Sequence, residues 1–344
     1  MPHTEDRMRI LLITRNLPPL VGGMERLLLN VVTGLAQYAD LTVIGPEGCS
    51  RHLPGEITVY ETPSSPYIFM VRALFMAARL SRQGNYSLVL GGSGLVAPVL
   101  SAVKRLSGGR TNTVLLVHGL DLVVENTIYQ SGFLPLIRRM DQLIANSENT
   151  RKIAIDKKVP ADRIQVINPG TSLPDIDSVM KPAMFLKKHN ISFDYIVLFV
   201  GRMTRRKGLS GFIRNSLPAI LHAEQDACLL VVGDNPNNAI NKQGEQAEVA
   251  LLASTMEYSD RIIFLDYLED SELEAAYAAA DVQVFPLQEV AGDVEGFGML
   301  AIEAAACGTP TIPFASGGVS DEISSDSGRL LAAGDYTQFA QCVI

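Results

Sequence analysis

Two carboxylates eight positions apart, Glu295 and Glu303, flank a turn containing Gly296, Phe297 and Gly298, and a separate basic run spans Gly201, Arg202, Met203, Thr204, Arg205, Arg206, Lys207 and Gly208. A guanidinium offers a planar fork and an ammonium a point charge. Arg202 and Lys207 could therefore hold two phosphates and stabilise the anion that grows as a phosphate leaves. Gly201 and Gly208 would let the backbone come close. The plainer alternative is a solvated loop with Arg205 and Arg206 facing water. After Gly298 an apolar helical stretch begins, and the free amides at its start, near Phe297, Gly298, Met299 and Leu300, could grip an anion or sugar hydroxyls. Glu295 would then sit in the loop and accept from sugar hydroxyls. Glu303, about two turns into the helix, would accept from the two hydroxyls of a nucleotide ribose. Its neighbours Ala301, Ile302, Ala304, Ala305 and Ala306 argue against a mere surface charge, since a carboxylate among them is costly to bury without a partner.

Three further places end a strand-like run. Gly233 and Asp234 follow Val232 and either shape a base pocket or simply turn the chain. Gly22, Gly23, Met24 and Glu25 stand between a strand and a helix, so amides there could face a distal phosphate or an acceptor. His118, with Gly119 and Asp121, follows the run ending at Val117 and is expected to point into a crevice.

The elements that must position these residues are short runs of Val, Ile and Leu alternating with helical patterns, which predicts parallel sheets covered on both faces. The runs at 10–14, 88–90, 113–117, 143–145 and 164–167 make a first series. Those at 196–200, 229–232, 262–265, 282–285, 310–313 and 329–331 make a second. The pattern lapses between them, predicting two doubly wound units, 1–172 and 193–344, joined by a hinge at 173–192. Ligands of such folds bind outside the carboxyl ends of the strands, so the active site is expected in a crevice between the halves. The chain stops inside a helix that begins near Tyr336, as a truncated end would.

Composition narrows the class. The 344 residues carry a net charge of −8, divided as +4 over residues 1–175 and −12 over the rest. That excess is too small for a nucleic-acid binder, although a basic first half beside an acidic second suits an anionic partner. Four isolated cysteines fit a reducing, cytoplasmic setting without disulfides or a zinc cluster. The polar start has no signal-peptide core, and the uncharged stretch 83–103 is too rich in glycine to span a membrane. The stretch 65–84 places Arg72, Arg79 and Arg82 on one side at helical spacing, as a helix resting on anionic lipid would.

These residues resemble family 4 of the retaining glycosyltransferases, of the two-Rossmann-domain GT-B kind. The resemblance runs through Gly22 to Glu25, His118 and Gly119, Ser147, Pro169 and Gly170, Gly201 and Arg202 with Lys207 and Gly208, Gly233 and Asp234, Ala280 and Asp281, the Glu295 and Glu303 pair with Gly308 to Pro310, and Ser316 to Gly318. It implies that Arg202 and Lys207 hold the pyrophosphate of a nucleotide diphosphate sugar and that His118 lies beside the transferred sugar. It also implies same-face attack in which the leaving phosphate helps deprotonate the acceptor, with no metal required. The wording Asp293 to Gly298 is similar to that of bacterial mannosyltransferases acting on phosphatidylinositol, lipopolysaccharide or capsule precursors. The family's C-terminal helix, which returns to the first domain, has no counterpart here, and Tyr267 stands where a glycine is common.

Gly92, Ser93 and Gly94 fit a dinucleotide fingerprint, but on a later strand and without an acid until Asp121. Asp175 and Asp177 resemble a metal-binding pair but lie in the expected hinge. A nucleotide-sugar epimerase and an inactive sugar-binding subunit remain as alternatives.

Overall fold

The apolar runs become strands because each is sealed from both sides. In the computed structural model, which describes residues 7–84, 86–175, 180–233 and 244–344, the chain divides into two units, Met1–Pro169 and Gly170–Ile344. The first holds a parallel sheet of β1 (Met8–Ile13), β2 (Ala39–Pro46), β3 (Thr58–Thr62), β4 (Leu88–Gly91), β5 (Asn112–Val117), β6 (Gln142–Ala145) and β7 (Ile164–Val166), in the order β3-β2-β1-β4-β5-β6-β7. Side chains alternate across it. Leu11, Ile13, Val89, Leu115 and Val117 pack under the helices Pro66–Gln83 and Ala97–Leu106, whereas Ile10, Leu12, Leu41 and Val43 face the helix Gly23–Ala36.

The second unit repeats the plan with β8 (Tyr195–Gly201), β9 (Ala227–Gly233), β10 (Ile262–Leu265), β11 (Val282–Phe285) and β12 (Thr311–Pro313), ordered β10-β9-β8-β11-β12 and again parallel. Val197, Phe199, Leu229 and Val231 form one face, and Ile196, Leu198, Cys228 and Leu230 the other. In both sheets the order reverses beside the first strand of the unit, β1 or β8. The loops after the two central strands therefore diverge at that point and leave room for a ligand.

Three expectations differ from the structure. The stretch 329–331 runs beside β12 without forming a continuous strand: Gly328 bridges Thr311 and Leu331 bridges Phe314, the Arg329 and Leu331 amides donate to the Thr311 and Pro313 carbonyls at 3.1 and 3.0 Å, and Arg329 and Leu330 are exposed. β2 and β3 lay outside the recognised runs because Asp40, Thr42 and Gly45 interrupt one, and the other is an edge strand with Thr58, Tyr60 and Glu61 in solvent. The stretch read as hinge contains a helix, Pro182–Lys188, that belongs to the second unit. Its Phe185 is fully buried there, and Lys188 and His189 both reach Glu272, at 2.7 and 3.0 Å. Asp175 is described; Asp177 lies outside the described residues.

Candidate active site

β8 ends at Gly201, β9 at Gly233 and β11 at Phe285, and the loops that follow carry the residues singled out above. Gly201 and Gly233 pair in register, and a Cβ on Gly233 would stand 2.5 Å from the Gly201 carbonyl. Side chains are thus excluded where the two strand ends meet. The basic run turns sharply at Gly208, whose left-handed backbone (φ 67°) caps the turn Arg205–Lys207 and lies hard against the Pro286 carbonyl after β11. Glycine is required there on both counts. The turn drives Lys207 inward until only 8% of the residue is exposed, with its ammonium 4.3 Å from the centre of the Phe285 ring. Arg202 stays exposed, and its side chain makes no hydrogen bond or ion pair among the described residues.

Across this gap runs the loop to the helix Met299–Ala306. Gly298 caps the helix in a left-handed conformation (φ 108°), Phe297 is buried, and Leu300 reaches to Gly201. The backbone of Glu295 is pinned from the other side by the Gly318 amide, which donates to its carbonyl at 2.9 Å. One carboxylate oxygen of Glu295, Oε2, accepts from Lys207 at 2.7 Å and from the Arg206 guanidinium. Arg206 also donates to Asp293 at 3.0 Å. Arg206 is therefore no water-facing member of the run: its side chain is nine-tenths buried between two carboxylates. Oε1 of Glu295 accepts no hydrogen bond among the described residues.

The electrostatics follow from burial and pairing. Burial alone would raise the Glu295 carboxyl, but Lys207 and Arg206 beside it hold it below the usual carboxylate range. Burial pulls the Lys207 ammonium below its ordinary value, with Glu295 opposing and Arg206 adding to the shift. Glu303 is buried on the inner face of its helix, where the Tyr277 hydroxyl approaches Oε2 at 3.5 Å. It is the fifth helical residue, just over one turn in, because the loop persists through Gly298. Asp234 lies outside the described residues.

In the first unit His118 is buried at the end of β5, and its Nε2 donates to the Gly92 carbonyl at 2.9 Å. Nδ1 is the ring atom left over. The turn after it is built by Asp121, which accepts from the His118 backbone amide at 3.0 Å; burial holds the Asp121 carboxyl well above the ordinary range, with His118 opposing. Gly92 and Gly94 have packing reasons to be glycine. A side chain on Gly92 would strike Thr14 and Leu28, and one on Gly94 would strike Tyr129 and Asp121. At Gly22 and Gly23 the helix start carries its own acid: Glu25 folds back against Gly22 and accepts from Asn16 at 2.8 Å.

The sequence reading missed Arg206 and Asp293 as partners of Glu295, Phe285 over Lys207, and Glu322, whose carboxyl oxygens are closed off from solvent. Only Asp293, two residues before Glu295, left a local signal.

Two parallel doubly wound units, each with its sheet order reversing beside the first strand, are the architecture of the GT-B glycosyltransferases. Family models agree: the model described as Glycosyl transferases group 1 matches residues 194–344, and that of Glycosyltransferase Family 4 matches residues 21–173. The chain belongs to family 4 of the glycosyltransferases. Among its relatives, a GDP-mannose-dependent alpha-(1-6)-phosphatidylinositol monomannoside mannosyltransferase of Mycolicibacterium smegmatis is 26% identical over 91% of this chain and 82% of its own length. A D-inositol 3-phosphate glycosyltransferase of Catenulispora acidiphila is 28% identical over 78% and 66%. The solved structure of Anabaena HepE in complex with UDP shares the fold at a TM-score of 0.75 and 18% identity, over 98% of this chain and 89% of that one.

Proposed function

We propose that this glycosyltransferase moves a hexose, with mannose favoured, from a nucleotide diphosphate sugar to a glycolipid, lipopolysaccharide or capsular polysaccharide precursor, with retention at the anomeric carbon and without a metal ion. The observation that carries the reading is the convergence of Lys207, Gly201 and the open start of the Met299 helix at the ends of β8 and β11. Lys207 has three N–H donors and spends one on Glu295. The others serve a phosphate oxygen, Arg202 closes from the exposed side, and the amides of Met299 and Leu300 add the positive end of a helix. These groups take the charge that a divalent cation would otherwise neutralise. Glu295 Oε1 accepts from the sugar and Glu303 from the ribose, and for His118 the family resemblance suggests a role with the transferred sugar.

The anomeric C–O bond breaks with its electron pair passing to the departing diphosphate. The acceptor hydroxyl bonds to the anomeric carbon from the same face, and its proton goes to the leaving phosphate oxygen. Mannose is favoured because the Mycolicibacterium relative is named GDP-mannose-dependent; the UDP held by the Anabaena protein keeps a uridine donor in view. Proton NMR of the product is expected to show the donor's anomeric configuration, with turnover unchanged by a chelator. An inverted product, or loss of activity restored by magnesium, would overturn the retaining, metal-free reading.

The acceptor side suits a membrane surface. The helix Pro66–Gln83 buries Phe69, Ala73 and Ala77, yet its outward face carries Tyr67 (86% exposed), Val71 (57%) and Phe75 (72%) beside Ile68 and Leu74, with Arg72, Arg79 and Arg82 all exposed. Bulky apolar side chains on the wet side of a domain helix, flanked by cations, match an interfacial helix on anionic lipid. No helix among the described residues is long and apolar enough to cross a membrane. The protein is expected to sediment with anionic vesicles at low salt and to be released by Phe75→Asp or by high salt. Failure of the wild type to sediment at low salt would remove the membrane from the account.

A further inference from the structure

Glu322 follows the turn Gly317–Asp321 and turns its carboxyl back onto Gly298, the cap of the Met299 helix. A Cβ on Gly298 would stand 2.8 Å from Oε1 and 3.2 Å from Oε2, with the Phe285 ring 3.2 Å away on the same spot. Both carboxyl oxygens are closed off from solvent, and neither has a hydrogen-bond partner among the described residues. The charged groups that act on it come from three elements: Lys207 from the basic turn, Glu295 from the loop before the helix, and Asp321 from its own turn; Arg206 pairs with Glu295 and with Asp293. A bare carboxylate shut in such a place, without a donor and beside Glu295, is costly. The uncharged acid is the form that fits.

We propose that Glu322 is a positioning residue of the donor site: an uncharged carboxyl lodged against the cap of the Met299 helix, which braces the turn presenting the free amides and leaves the positive end of that helix to an incoming diphosphate. The inference rests on the diphosphate reading given above. Burial pushes the Glu322 carboxyl up to about 10, with Glu295 adding, Lys207 opposing and Asp321 adding. Ionised, Glu322 would set a negative charge at the helix end that the diphosphate needs.

The test is calorimetric titration of the full chain with UDP and with GDP, for wild type and for E322Q, from neutral pH to beyond 10. E322L serves as a second variant without a titrating group. Lys207 loses its proton in all three proteins, and an ionised Glu322 holds that proton to higher pH in the wild type, so a steeper fall in the wild type cannot come from Lys207. Glu322 ionises only in the wild type, whose affinity is expected to fall on the order of tenfold further than that of either variant, as an added like charge near a bound anion requires. Coincident profiles would overturn the proposal while leaving the diphosphate site standing. Absence of binding by either nucleotide to the wild type at neutral pH would overturn both. The infrared difference spectrum of wild type minus E322Q at neutral pH should contain a carboxylic-acid carbonyl band; a carboxylate band in its place sinks the uncharged acid whatever the nucleotides do.

Discussion

Lys207→Ala is expected to lower turnover by on the order of a hundredfold or more, the loss seen when one preorganised donor to a developing anion is removed. The ammonium is buried, fixed by Glu295 at 2.7 Å and by the face of Phe285, so no reorganisation is needed when the diphosphate departs. Arg202→Ala should cost a similar factor by another route, since its exposed side chain is free to close over the ligand. The comparison separates chemistry from folding. Arg202 contributes no buried contact, so its variant should melt with the wild type, whereas Lys207→Ala leaves Glu295 to Arg206 alone. Steady-state rates with a matched nucleotide sugar check both, and wild-type turnover in either variant would contradict the assignment.

Glu295→Gln carries the second large effect, on stability as well as on turnover. Its carboxylate neutralises two side chains, Arg206 and Lys207, that are each about nine-tenths buried. Removing the shared partner of buried charges typically costs about 3–5 kcal/mol. The pH dependence has a definite sign. The folded carboxyl is held below its unfolded value, so its stabilisation is fully present above the unfolded value near 4.5 and is lost as pH falls through the folded value. Urea denaturation should therefore separate wild type and variant widely at neutral pH and bring them together in acid. A constant gap across that range would mean that the carboxylate does not serve as the counter-charge.

Much of the fold could be read from the residues because buried parallel strands must be continuous apolar runs, and ten of the twelve strands coincide with such runs. The two missed strands lie on the side of the first sheet where polar residues interrupt the pattern, and the run at 329–331 lies along β12 but is held to it by isolated bridges rather than a continuous ladder. The glycines at 201, 208, 233 and 298 were legible as turn and close-approach positions, and the structure supplies the atom each one faces. What linear spacing could not reveal is pairing across the chain. Arg206 precedes Glu295 by 89 positions and looked like one more charge in a basic run. Nothing in the local sequence singles out Glu322, and only the return of the chain onto Gly298 closes its carboxyl off.

The central claim is that the second unit holds a nucleoside diphosphate by its phosphates at Lys207 and the start of the Met299 helix. Isothermal titration of UDP and GDP into wild type and Lys207→Ala at neutral pH tests it most directly. The account predicts saturable binding of at least one nucleotide to the wild type and a loss of on the order of tenfold or more in the variant, the worth of one charge-assisted phosphate contact. Equal affinity in the two proteins, or no binding of either nucleotide to the wild type, would contradict it.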